Sequence, residues 1–82
     1  MKLPRDVSGR DLAKLLRRYG YEVVRQVGSH TRYSSSYKGH EHHITIPDHD
    51  AIRVGTLADI LGDVADYLEM DRTKLIAELF ER

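Results

Sequence analysis

Gly28-Ser29-His30 places a side chain that titrates near neutral pH directly behind a two-residue turn, where an imidazole can be held rigidly enough to move protons. The flanking segments, Tyr21 to Val27 and Thr31 to Ser34, are rich in β-branched and aromatic residues, and a connection with glycine first fits a type II′ hairpin. With Gly28 and Ser29 as the turn, Val27 pairs with His30, Arg25 with Arg32 and Val23 with Ser34. Directly paired residues share a face of the sheet, so His30 stands beside two arginines. Cations set opposite one another cost about a few tenths of a kcal/mol unless an anion lies over them, and a phosphate would serve. From the hairpin alone, a polar residue beside a turn with both arginines splayed into water is the favoured reading.

A second group of chemistry-bearing residues is His40, His42 and His43, with His49, Asp48 and Asp50 nearby. Imidazoles and carboxylates are ligands for transition metals. Adjacent residues of a strand point to opposite faces, however, so His42 and His43 cannot readily share one ion, and neither a metal site nor a cofactor is expected. His49 is read as a structural hydrogen-bonding residue toward a neighbouring loop. Tyr33 falls on the face opposite His30 and reads as core. Tyr37 is open between core and a platform on which a base could stack.

The elements that must position these residues follow from periodicity. Ser8 and Asp11 have capping-box spacing, Leu12, Leu15, Leu16 and Tyr19 recur at helical intervals, and Gly20 supplies a left-handed stop. The polar side of this helix carries Arg10, Lys14, Arg17 and Arg18, either a solvated face or a track for a nucleic-acid backbone. Strands are predicted over Tyr21 to Val27, His30 to about Tyr37, and His42 to Ile46, the last ended by Pro47, with Lys38 to Glu41 as the second turn. In the third strand Ile44 and Ile46 point to the core, and His43 and Thr45 away from it. A helix beginning at Thr56 carries Leu57, Ile60, Leu61, Val64 and Leu68. After a break near Met70, Asp71 caps a further helix carrying Leu75, Ile76, Leu79 and Phe80. The order predicts an α+β fold, a three-stranded antiparallel sheet with helices packed on one face.

Composition bounds the rest. Eighty-two residues without a cysteine make one domain, 1–82, with no disulfide, no thiolate nucleophile and no cysteine-bound zinc. No apolar run resembles a signal peptide or approaches the roughly 20 residues of a membrane span, which predicts a cytoplasmic protein with no membrane association. The net charge of zero conceals a division: residues 1–40 hold nine bases against three acids, for +6, and residues 41–82 hold four against ten, for −6. Such asymmetry suggests a polyanionic partner, or two halves of the fold attracting one another.

Three blocks in this order, Arg25-x-x-Gly28-Ser29-His30-x-x-Tyr33, Thr45-Ile46-Pro47-x-His49 and Gly55-Thr56-Leu57-x-x-Ile60-Leu61, resemble the HicA toxins of bacterial and archaeal toxin-antitoxin systems. The likeness runs from about Val7 to Leu61. It implies a fold like the double-stranded RNA-binding domain, α-β-β-β-α, here with an extra C-terminal helix. It also implies an endoribonuclease that cleaves mRNA, a catalytic histidine that maps onto His30, and a HicB-type antitoxin that covers it, in a complex that can be of higher order. Two features depart from the pattern: the long acidic segment Asp63 to Arg82, with possible consequences for oligomerisation or antitoxin docking, and the cluster His40, His42 and His43.

The chemistry expected of such a site needs no metal. The ribose 2′-hydroxyl attacks the neighbouring phosphorus once a base takes its proton, and an acid protonates the departing oxygen. His30 suits either role, and Ser29, Arg25, Arg32 and Lys38 are the candidate RNA-binding residues. The other reading is a non-catalytic RNA-binding module of the same fold, and a third is a protein-interaction domain that uses its acidic C-terminal helices.

Overall fold

The computed structural model describes residues 3–81. Ser8 opens the first helix as its cap, its hydroxyl accepting from the Asp11 amide at 3.0 Å, which satisfies one free N–H of the first turn. Helix α1, Gly9–Leu16, buries Leu12 and Leu16, tightens into a 3-10 turn at Arg17–Tyr19, and ends at Gly20 with φ 80°. Gly9 allows this helix to start hard against the sheet. Its amide donates to the His49 carbonyl at 3.0 Å, and a Cβ there would collide with the Pro47 carbonyl oxygen.

Strands β1 (Glu22–Val27), β2 (His30–Ser35) and β3 (His42–Pro47) form an antiparallel sheet in the order β1-β2-β3. Gly28 has φ 59°, and among the described residues Glu69 is the one non-glycine with positive φ, so the turn has the glycine-first form of type II′. Val27 pairs with His30 and Arg25 with Arg32, as the two-residue turn dictates. The pairing of Val23 with Ser34 is overturned. A bulge between Val23 and Arg25 puts Val23 opposite Tyr33 and Glu22 opposite Ser34, because β1 carries one residue more than β2 across that stretch.

Two strand ends also differ from the reading of the sequence. β2 stops at Ser35, where the side chain donates to the Tyr19 carbonyl at 2.6 Å and accepts from the Tyr37 amide at 3.1 Å, and the chain turns at Ser36 to Gly39. β3 runs on through Pro47, which pairs with His30 at the sheet edge, where a missing N–H is tolerated. Along β2 and β3, Thr31, Tyr33, Ser35, Ile44 and Ile46 are buried under the helices, and His30, Arg32, His43 and Thr45 are exposed on the open face. Tyr33 is therefore core, whereas Tyr37 is exposed and meets Tyr19 edge-on.

Helix α2 (Val54–Leu68) begins two residues before Thr56, with Arg53 at the cap position and the first turn closed by the Leu57 amide on the Arg53 carbonyl at 2.9 Å. Glu69, left-handed at φ 57°, ends it. Asp71 then caps α3 (Arg72–Phe80), accepting from the Thr73 amide at 2.8 Å, so the C-terminal segment is two helices as the spacing predicts. The core joins Leu12 and Leu16 of α1, Ile46 of β3, Leu57, Leu61 and Val64 of α2 and Leu75 of α3. The acidic tail thus contributes to the interior of the fold. No helix among the described residues is long and apolar enough to cross a membrane.

Candidate functional site

The open face of the hairpin holds a cavity of about 220 Å³ lined by Arg25, Val27, His30, Arg32 and Thr45. Strand register puts them there: Val27 lies opposite His30, Arg25 opposite Arg32, and Arg32 opposite Thr45. The turn that carries His30 is anchored from below, since the Asp48 amide donates to the Ser29 carbonyl at 2.6 Å. The chain after β3 is held in turn by α1, through Gly9 to His49 and through the Ile52 amide to the Val7 carbonyl at 2.7 Å. His30 is solvent-exposed, on a backbone fixed at both ends.

Electrostatically the cavity is unbalanced. Among the described residues no carboxylate comes within 4.0 Å of Arg25 or Arg32, and the only ion pairs are His42 with Asp63 and His43 with Glu41. Two opposed guanidiniums with no counter-charge make a site that favours an anion. An imidazole beside it can give or take a proton at that anion. Val27 and Thr45 complete the wall, and the period-2 alternation of their strands is the signal that locates them.

The candidate residues do not all converge. Arg25, His30 and Arg32 share the cavity, and Ser29 lies beside them in the turn. Lys38 lies in the turn beyond the other end of β2, a strand about 17 Å long, and its amide donates to the Tyr67 hydroxyl at 2.9 Å. It is not among the residues that line the cavity. His49 makes its structural bond through its backbone carbonyl, not through its ring.

The histidine cluster disperses into packing. His42 Nδ1 meets the Tyr21 hydroxyl at 2.7 Å, its Nε2 meets Asp63 at 3.2 Å, and its ring stacks on Tyr67 at 4.6 Å. His40 packs edge-on against the other side of this group, 5.0 Å from the Tyr67 ring. Burial, the neighbouring Tyr67 and the charge of Asp63 push the Tyr21 phenol well above its usual range, so it keeps its proton. Among the described residues no three histidine or carboxylate side chains are gathered as metal ligands. The sequence gives no local sign of this network, because each of its hydrogen bonds spans 21 residues.

The charge division persists without close pairing. No Lys or Arg of the described residues forms an ion pair with a carboxylate, so the basic N-terminal half is not neutralised by contact with the acidic C-terminal half. Arg18 is diverted to α3, donating to the Glu78 carbonyl at 2.6 Å and lying 5.9 Å from the Tyr19 ring.

Against known proteins, the family model described as the HicA toxin of bacterial toxin-antitoxin systems matches residues 9–65, from the start of α1 to the last turn of α2. No curated protein and no solved structure matches the chain.

Proposed function

The chain belongs to the HicA family of toxins of toxin-antitoxin systems, and on that premise we propose that it is a metal-independent endoribonuclease that cleaves mRNA in the cytoplasm with His30 as general acid or base. The observation that carries this reading is the gathering of His30, Arg25 and Arg32 in one cavity with no carboxylate within 4.0 Å of either arginine among the described residues.

In the reaction, His30 takes the proton of a ribose 2′-hydroxyl as that oxygen bonds to the adjacent phosphorus. The bond from phosphorus to the 5′-oxygen breaks, and a proton supplied to that oxygen releases a 5′-hydroxyl strand and a 2′,3′-cyclic phosphate. Arg25 and Arg32 stabilise the negative charge that accumulates on the phosphorane oxygens. Ser29 offers a further polar contact at the turn. An antitoxin of the HicB type silences the toxin by covering this open face. Residues 1–82 act as a single domain in this reading, without a cofactor.

The test is induced expression of the wild type and His30→Ala, scored for growth and message integrity, with purified proteins assayed on RNA in excess EDTA. Arrest and cyclic-phosphate ends with the wild type, and a loss of about 10²- to 10⁴-fold in His30→Ala, are expected. Undiminished cleavage by His30→Ala would remove the histidine from the chemistry. RNA binding without cleavage by the wild type would make the protein a binding module.

A further inference from the structure

A concavity larger than the His30 cavity is present among the described residues. It lies on the other side of β1, a groove of about 600 Å³ between α1 and the edge of the sheet. Arg10, Lys14 and Arg17 line its helix wall; Val23 and the buried ring of Tyr33 line its sheet wall, and Glu22 is its one acid. At 1.5 Å per residue the three cations span about 10 Å, enough for more than one backbone phosphate. All three are exposed, and none has a carboxylate within 4.0 Å among the described residues. Arg17 lies close enough to Tyr33 to pull its phenol down against the upward push of burial and Asp48.

Two observations connect this groove to the site. A second hollow of about 190 Å³ shares Arg10, Val23 and Tyr33 with it and continues past Gln26 and Thr31 to Pro47 and Asp48. Those last residues are the ones that pair with His30 and bond to Ser29. The path therefore runs from the basic wall of α1 to the underside of the hairpin tip that carries His30. Among the described residues β1 is uncovered along the way: all six of its residues are exposed, and Val23 and Val27 are 58% and 60% accessible.

We infer that this groove is a second RNA-binding subsite, which holds the single-stranded chain flanking the cleaved phosphodiester after it passes around the hairpin tip. The inference rests on the ribonuclease reading above and extends it. Arg10, Lys14 and Arg17 hold phosphates of the flanking segment, and Tyr33 and Val23 offer an apolar floor to sugar or base. Asp48 lines the tip end of the path, so phosphate contacts concentrate at the α1 end. A short RNA fills the His30 cavity alone, whereas a longer one reaches the groove.

Binding of 2′-O-methyl oligonucleotides, which lack the attacking hydroxyl, tests this with the intact protein. Lengths of roughly 4 and roughly 16 nucleotides bracket the site sizes of small single-strand-binding domains. The wild type should bind the long probe more tightly, with a steeper salt dependence. The triple variant Arg10→Gln/Lys14→Gln/Arg17→Gln should lose that advantage, its slope of log K against log salt becoming shallower by about 2, as expected for three lost phosphate contacts on a single strand. Its affinity for the short probe and its cleavage of short RNA should match the wild type. The single variant Lys14→Gln, with a slope change of about 0.7, gives the same reading if the triple variant unfolds. Equal length dependence in wild type and variants would overturn the subsite while leaving the ribonuclease reading intact. A wild type that binds neither probe and cleaves no RNA would overturn both. Unchanged RNA binding with loss of antitoxin binding would assign the groove to a protein partner and overturn the inference.

Discussion

At the scale of single residues, Arg25 and Arg32 are set opposite one another across the hairpin, with no carboxylate within 4.0 Å among the described residues. In the free protein this pair is mildly unfavourable, by a few tenths of a kcal/mol. With a phosphate over it, each guanidinium supplies charge-assisted hydrogen bonds of about 1.5–3 kcal/mol. Activity and stability should therefore move in opposite directions. Arg32→Gln is expected to lower kcat/KM for RNA by about 10- to 150-fold while leaving the thermal midpoint unchanged or slightly raised. Steady-state kinetics and a thermal melt on the same preparation check it. A variant that loses activity only in proportion to lost fold would instead give Arg32 a structural role. That His30 has two arginines for neighbours was legible from the turn, since a two-residue loop fixes pairing on either side of it. Where β2 ends was not, because that depends on Ser35 leaving the ladder to bond with Tyr19 and Tyr37.

At the scale of elements, the site depends on a chain of backbone bonds: α1 holds the segment after β3 through Gly9 and His49, and that segment holds the turn through Asp48 and Ser29. Gly9 is the tightest point, for any side chain there meets the carbonyl of Pro47. Gly9→Ala must push α1 away from β3, at a cost of about 1–3 kcal/mol, as in other overpacked sites. The expected result is a lower urea midpoint together with reduced ribonuclease activity, although residue 9 does not line the cavity. Wild-type stability in Gly9→Ala would show that the contact relaxes freely. The capping residues Ser8 and Asp71, the stop at Gly20 and the turn at Gly28 could be read locally, because each acts within a few residues of itself. The bulge in β1 had a weaker sign, the adjacent valines Val23 and Val24, which interrupt alternation at the point where the register shifts. Partners on distant elements, such as Tyr21, His42 and Asp63, are brought together by the fold and carry no local pattern.

At the scale of the whole molecule, the match to the family ends at residue 65, yet the interior does not. Leu68, Leu75, Ile76 and Leu79 are all buried beyond that point, Leu75 completely. α3 is also tied to the turn after α1, by Arg18 on the Glu78 carbonyl and by the Tyr19 hydroxyl on the Glu78 carboxylate at 3.2 Å. The acidic tail thus closes the core from the side away from the open face of the sheet, and its charges point outward. A chain of this size has a stability of about 4–12 kcal/mol at 0.05–0.15 kcal/mol per residue. Truncating one fully buried leucine costs about 2–5 kcal/mol. Leu75→Ala should therefore remove a large share of the total, seen as a lower urea midpoint with an unchanged slope. Toxicity should fall with the folded fraction, while the folded remainder cleaves RNA at the wild-type rate. If the tail were an accessory laid on a complete domain, Leu75→Ala would leave the midpoint in place, and cutting the chain before α3 would leave a folded toxin.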